Sequence, residues 1–460
     1  MTEQVHGYLP DETPKPLELF FFALQQIVVM FPATVLVALL TGFHVSTTIF
    51  ASGLATLAFI MVTKRKIPLY YGSSFSYIAA ITAITMGPTY QHLALNERIS
   101  MAQFGIMMSG LVSIAAGLII RKYGRTIIDR VLPASVTGPV AIIIGLSLAG
   151  SALQNATSFP QGTDPQLGMN FAWVIALVTL ISTIFYSVYL KGKLSQLPIL
   201  FGLATGYAAA VIVMLVTGIP FIGFDTVQGN LFQFPIITLP TPSWTAVAAI
   251  MPIALATIPE STAHIFQLDV YINDLAKKKG SKKHYDIENR LGDNLVGDGI
   301  GDIVSAAIGG PAGTNYGENI SAMAISRNFS VNVLVLAAIM TMIISSFTPL
   351  VNVVYSIPPA VIGGLSIYLF GVIAAQGIAI IIEKKVDMFS SRNLAVIAVI
   401  LILGLGGSFY FTEGMIPFFG MRFPAIATAS ISGILLNLAL SIGDKKKYAA
   451  VETDKTTPAA

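Results

Sequence analysis

The 460 residues contain no cysteine, two tryptophans and five histidines. Without cysteine there are no disulfides, no thiolate metal sites and no thiol nucleophile, and compartment is left open. Charge is scarce as well: Asp, Glu, Lys and Arg make up 11% of the chain, against about 25% in an ordinary soluble domain. With 54% hydrophobic residues and a mean hydropathy of +0.76, there is too little polar surface to cover a globule of this size. Catalytic signatures are missing too: neither HExxH nor GxxxxGK[ST] occurs, and the glycine turns at 310–313 and 404–407 lead into no dinucleotide fingerprint. No polar stretch is long enough for an ATPase domain. The chain therefore reads as an all-α polytopic membrane protein, not an enzyme, with no cofactor or metal, whose transport is passive or driven by a gradient. The polar start lacks a basic n-region and a short apolar h-region, so no signal peptide is expected and the first span serves as an uncleaved anchor.

About 20 apolar residues are needed to cross a bilayer as a helix. Fourteen such runs are expected, near 17–41, 46–63, 69–87, 103–120, 131–151, 170–190, 197–218, 244–266, 294–310, 314–326, 331–349, 353–380, 393–409 and 424–442. Basic residues test that count, because Lys and Arg concentrate in cytoplasmic loops. With fourteen spans and both termini inside, every Lys and Arg except Arg98 and Arg422 falls on the cytoplasmic side. The expected outer loops at 154–166 and 219–243 carry neither residue type. The basic stretch 275–290 is read as a solvated, topology-fixing loop and not as a nucleic-acid site.

Fourteen spans divide into seven plus seven, and an odd number per half inverts the second half. Tyr71-Gly72 in the third span and Tyr316-Gly317 in the tenth fall at matching places, as do Pro32 and Pro259 in the first and eighth. Spans three and ten mix Tyr, Gly, Ser and Asn and read as short extended pieces feeding into helices. Non-helical backbone at membrane depth persists only where protein or a water-filled cavity surrounds it, and paired broken spans mark a transporter's binding site. The helices that follow would aim their first amides at mid-membrane, ready to donate to carbonyl oxygens.

Ionisable side chains inside spans are costly and functional by default. Glu260 and His264 are four residues apart and share a helix face. Glu260 could instead cap a helix broken at Pro259, and His264 could be no more than a satisfied hydrogen-bonding residue. Glu318 could simply favour a helix N-terminus. Asp298 and Asp302 also share a face, with Asp298 the better candidate because it could order neighbouring backbone amides. Asp293 is expected to point towards the basic loop.

Four stretches, 23–42, 72–78, 259–264 and 309–327, together resemble the nucleobase–ascorbate transporter family, nucleobase:cation symporter family two, on its bacterial uracil permease branch. The signature [Q/E/P]-N-x-G-x-x-x-x-T-[R/K/G] stands here as Glu318 to Arg327, with Ser321 for the glycine and Ser326 for the threonine. Gly313 stands where uracil permeases usually have Asn. Glu at the first signature position, as in pyrimidine carriers, implies uracil over xanthine or urate. The resemblance implies a core domain (17–125 and 244–350) rocking against a gate domain (126–243 and 351–442), the substrate between them at two short antiparallel strands in the broken spans three and ten, with cytoplasmic tails at 1–16 and 443–460. It also implies a homodimer through the gate domains, in a bacterial cytoplasmic membrane. Carried over by position, Phe75, Glu260, Gly317 and Glu318 would line the base, with Tyr316 and Ser74 beside them. His264 and Glu260, with Asn319 and Asp298, would couple the proton. A purine symporter is the alternative within the family. An anion carrier of the same architecture, a channel and an intramembrane enzyme are the others.

Overall fold

The computed structural model describes residues 7–124, 130–223, 230–418 and 421–441. The expected tail at 443–460, residues 1–6 and Arg125 lie outside the described residues. The apolar runs become helices, and Pro and Gly mark their ends. Helix α1 (Pro16–Thr41) opens on proline, where a missing N–H costs nothing, and closes on Gly42 in the left-handed conformation. Then come α2 (Val45–Val62), strand β1 (Tyr71–Ser73), a 3₁₀ turn at Phe75–Tyr77, α3 (Ile78–Thr85), α4 (Leu95–Tyr123), α5 (Ala134–Ser147) and α6 (Ala149–Ala156). Next are α7 (Pro165–Tyr189), α8 (Pro198–Thr217), α9 (Trp244–Ile250) and α10 (Ala254–Lys278). After them follow α11 (Leu291–Ala307), β2 (Gly313–Asn315), α12 (Gly317–Ser326), α13 (Val331–Ile344), α14 (Thr348–Tyr355) and α15 (Pro359–Glu383). The chain closes with α16 (Ser391–Leu401), α17 (Gly407–Tyr410), β3 (Met415–Phe418), β4 (Met421–Pro424) and α18 (Ala425–Leu440).

Among the described residues nine helical stretches are long and apolar enough to cross a membrane, and the protein is a multi-pass helical membrane protein. Three expectations about these elements need correction. The eighth span, expected to stop at 266, runs on to Lys278. Its polar extension persists because Asp269 accepts the amides of Ile287 and Glu288, while Asn273 bonds the backbone of Tyr285 in both directions. The run 353–380 is not one helix, because Pro358-Pro359 splits it into α14 and α15. Between the last two expected spans lies an antiparallel pair, β3 with β4, that hydropathy gave no sign of.

Helices pack in two groups. In one, α4 lies along α11 and α2 along α11 and α13. Small residues bring the first pair together: a Cβ on Gly110 would lie 2.5 Å from the Gly299 carbonyl, and one on Gly117 2.7 Å from that of Gly292. In the other, α15 lies against α5, α6 and α7, while α7 packs on α8 and α16 on α18.

The segment before α1 is laced across the ends of α10 and α12. Tyr8 exchanges backbone bonds with Arg327 and Phe329, Lys279 pairs with Glu12 at 2.6 Å, and Lys283 pairs with Asp11 at 2.6 Å. Tyr285 donates to the same Asp11 carboxylate. Burial alone would push the Asp11 carboxyl up, but the Lys283 and Tyr285 hydrogen bonds outweigh it and hold the group below its usual value.

Candidate functional site

The site is built where the two broken segments cross. Strands β1 and β2 pair antiparallel, with Tyr71 opposite Asn315, Gly72 opposite Thr314 and Ser73 opposite Gly313. The crossing is closed by Ser74 N–H on the Ala312 carbonyl (3.0 Å) and Tyr316 N–H on the Tyr70 carbonyl (3.0 Å). Each strand then feeds a helix. Ser74 caps the Phe75–Tyr77 turn, its hydroxyl accepting from Ser76 N–H, and Tyr316 is the N-cap position of α12. Ser74 and Tyr316 are thus the corresponding positions, three residues away from the register in which the sequence matches Tyr71-Gly72 with Tyr316-Gly317.

Around this crossing the structure sorts the candidate residues. Phe75, Glu260, His264, Gly317 and Glu318 are half-buried, whereas Ser74, Asp298, Tyr316 and Asn319 are buried. Glu260 stands on α10 just after Pro259, on the face of that helix that carries His264. Glu318 lies in the first turn of α12, where the helix's free amides favour a negative group. His264 is not bonded to Glu260. Its ring turns to Gly317, where a Cβ would lie 2.9 Å from Nε2, and its Nδ1 has no partner. Glycine at 317 is what lets the imidazole approach the start of α12.

The buried candidates have partners of their own. Asn319 donates to the Gln26 carbonyl (3.0 Å) and side chain (2.8 Å), fastening α12 to α1. The Tyr316 hydroxyl donates to the Ser73 carbonyl and bonds Thr34, both at 3.0 Å. Asp298 accepts from Ser261 (2.7 Å) and Asn294 (3.2 Å) on one oxygen, leaving Oδ1 without a partner. Asn294 accepts in turn from Asn315 at 2.9 Å, so a side-chain relay runs from β2 through α11 to the residue next to Glu260. The amide-ordering role expected of Asp298 falls to Asp302, which accepts Gly313 N–H at 2.8 Å and the Tyr71 hydroxyl. Asp293 pairs with Arg121 (2.6 Å) as well as with Arg290 (3.6 Å) at the end of the basic loop.

Sequence reasoning did not single out Ser76, Ser261, Asn294, Gln26 or Thr34. The one signal they carry is polarity within apolar helices, which for Asn294 includes a four-residue spacing to Asp298.

The arrangement joins two acceptor carboxylates, first-turn amides at Phe75 and Gly317, and an aromatic face, with an imidazole behind. It suits a flat polar heterocycle offering N–H donors and carbonyl acceptors.

A model described as "Permease family" matches residues 17–413. The chain is 37% identical to a uracil permease of Bacillus caldolyticus, over 91% of each chain. It is 34% identical to a uracil permease of Bacillus subtilis, over 93% of this chain and 94% of that one. A third uracil permease, from Escherichia coli K12, is 31% identical over 96% and 95%. Among solved structures, the chain is similar in fold to SLC26A9 (TM-score 0.64, 11% identity), covering 94% of this chain and 66% of that one. It is also similar to the transmembrane domain of the cyanobacterial bicarbonate transporter BicA (TM-score 0.57, 16% identity), over 95% and 100%. The chain belongs to the Permease family, the nucleobase–ascorbate transporter family its signature resembles, and is a membrane transporter rather than an enzyme.

Proposed function

We propose that the protein is a uracil carrier driven by proton symport. The observation that carries this reading is that Glu260 on α10 and Glu318 in the first turn of α12 flank one place beside the strand crossing, where His264, one turn on from Glu260, lies against Gly317. Two carboxylates close together repel, and a ligand bringing N–H donors to both offsets that repulsion. Uracil has two such donors, and its two carbonyls match the amides at Phe75 and Gly317, with the Phe75 ring over its face. A site of this kind rejects analogues that leave a polar partner unpaired. The relatives named uracil permeases support the same substrate.

Glu260 and His264 take and release the coupled proton, with Asp298, which accepts from Ser261 beside Glu260 in the chain, a second station. Asn319 has no proton to exchange at these pH values and serves by fixing α12 to α1. Transport follows from rocking of a core domain (17–125, 244–350) against a gate domain (126–243, 351–442), within fourteen spans arranged as an inverted 7+7 repeat. The two helix groups described above are consistent with that division. Both termini are assigned to the cytoplasm of the cell membrane, and the carrier to a homodimer through its gate domains.

The test is uptake of radiolabelled uracil into proteoliposomes, with and without an inward pH gradient and an uncoupler. Accumulation above equilibrium that collapses with the uncoupler is expected. Transport of xanthine or urate instead would overturn the substrate, and gradient-independent equilibration would overturn the coupling.

A further inference from the structure

We infer that Asp302, through Tyr71, is the positioning residue that holds the two crossing strands in register and so sets where the base-binding amides lie. This rests on the proposed site at Phe75, Glu260 and Glu318. One carboxylate oxygen of Asp302 accepts both the Gly313 amide at 2.8 Å and the Tyr71 hydroxyl. The first donor belongs to β2 and the second to β1, and Gly313 is the register partner of Ser73. Asp302 itself is 2% exposed and sits on α11, which is packed along α4. A single atom of the scaffold helix therefore ties down both strands.

The side chains around it are fitted to that purpose. The Tyr71 ring lies between two glycines: a Cβ on Gly313 would sit 2.3 Å from its Cε1, and one on Gly301 2.6 Å from its Cε2. No side chain could be added at either place without driving the ring out of reach of Asp302. On the other side the relation is reversed. The Tyr316 ring covers Gly72, where a Cβ would sit 2.3 Å from Cε2, and its hydroxyl is fixed by Thr34 and the Ser73 carbonyl. Each strand, or the cap that follows it, thus lays a tyrosine over the glycine of the other and anchors the hydroxyl beyond it. The backbone of Tyr71 is gripped as well, with its carbonyl accepting from Ser52 and Thr56 and its amide donating to Thr56. Phe75 follows β1 by two residues and Gly317 follows β2 by two, so a slip in the strands moves both sets of amides relative to Glu260.

The experiment compares wild type with Asp302→Ala, Asp302→Asn, Tyr71→Phe and the Asp302→Ala/Tyr71→Phe pair in detergent. It reads uracil Kd, melting temperature and backbone hydrogen exchange over residues 70–74 and 312–316. Asp302→Ala removes the acceptor for two bonds and is expected to weaken uracil binding about 10-fold or more. Exchange in both strands rises with it. Asp302→Asn keeps an acceptor oxygen and restores both readings. Tyr71→Phe is expected to fall between the two, and the double variant to bind no worse than Asp302→Ala. A fall in melting temperature with Kd and strand exchange unchanged would overturn the inference, as would an Asp302→Asn variant as impaired as Asp302→Ala. Should Asp302→Ala not fold, Tyr71→Phe decides by the same two readings. Should the wild type bind no uracil, the substrate assignment falls, and strand exchange alone judges the positioning role.

Discussion

Four acidic side chains lie within a few turns of the strand crossing, and they fall into two unlike pairs. Asp298 and Asp302 are buried, and each has one oxygen taken by two donors from the protein: Ser261 and Asn294 for the first, Tyr71 and the Gly313 amide for the second. Glu260 and Glu318 are half-buried, and neither carboxylate takes a hydrogen bond from another side chain among the described residues. A buried carboxylate is tolerated only where donors surround it. Asp302 is supplied by the fold and acts as its fastener, whereas Asp298 is tied on one oxygen and keeps Oδ1 without a partner, so it stands between the two classes. The glutamates are undersupplied, and their remaining bonding capacity is open to something from outside. Distance from the crossing does not separate structural from ligand-binding acids here; the supply of donors does.

The largest effect is expected from Glu260→Gln. It exchanges a charged acceptor for a neutral amide, and a hydrogen bond to a charged group is worth about 1.5–3 kcal/mol, or roughly 10- to 150-fold in affinity. Uracil binding and coupled uptake should fall by that factor with the melting temperature nearly unchanged. Normal concentrative uptake by this variant would erase the contrast between the pairs. Gly72→Ala should act in the opposite sense, on stability first. Its new methyl would meet the Tyr316 ring at 2.3 Å, and overpacking of this kind costs typically 1–3 kcal/mol. A thermal melt checks this, and an unchanged midpoint would show that the strand crossing yields easily.

Glu318→Gln sharpens the comparison more finely. Glu318 sits in the first turn of α12, where the helix's free amides already favour an acceptor, so about a 10-fold loss of uracil affinity is expected, together with some gain of xanthine recognition. Competition binding with both bases measures it. Loss of folding instead would move Glu318 into the class of Asp302.

The smallest effects belong to the laced segment before α1. Asp11 titrates below its usual value, so its contribution to stability is present at neutral pH and is lost as pH falls below about 4. Tyr8, bonded to Glu18, is pushed up to about 12, so what it contributes is fully present below about 10 and fades as pH rises towards 12. Hydrogen-exchange protection factors over residues 7–13 should therefore fall at both extremes, while those of the strand crossing hold. Lys283→Met should cost no more than about 1 kcal/mol, because the Lys283–Asp11 pair is exposed to solvent. Simultaneous loosening of the crossing would mean that the two regions are not independent.

Hydropathy reads the scaffold well because lipid imposes it residue by residue: the first and seventh expected segments, 17–41 and 197–218, sit within a residue of α1 and α8. It fails where protein replaces lipid as the surroundings. The polar end of α10 could not be read as helix without its partners in the 285–288 loop. The acids Glu260 and Glu318 were legible because an isolated carboxylate in a span is conspicuous. Their surroundings were not. Spacing places Glu260 and His264 on one face, yet His264 turns to Gly317, because glycine there opens that side. Asp302 was ranked below Asp298 since nothing in the sequence shows that Tyr71 and Gly313 converge on it, a contact made across 231 positions of chain. The three-residue offset between the matched motifs and the strand ends has the same origin. Short runs of Tyr, Gly and Ser align easily, whereas the strand register is set by Gly72 and Gly313 lying under tyrosine rings.

The most direct test of the account is the uracil dissociation constant of the purified protein, measured side by side for wild type, Glu260→Gln and Glu318→Gln, with melting temperature recorded on the same samples. The account predicts saturable binding by the wild type, loss of affinity in both variants with Glu260→Gln the more severe, and melting temperatures close to wild type. Wild-type affinity in Glu260→Gln, or a collapse of its melting temperature in place of its affinity, would contradict it.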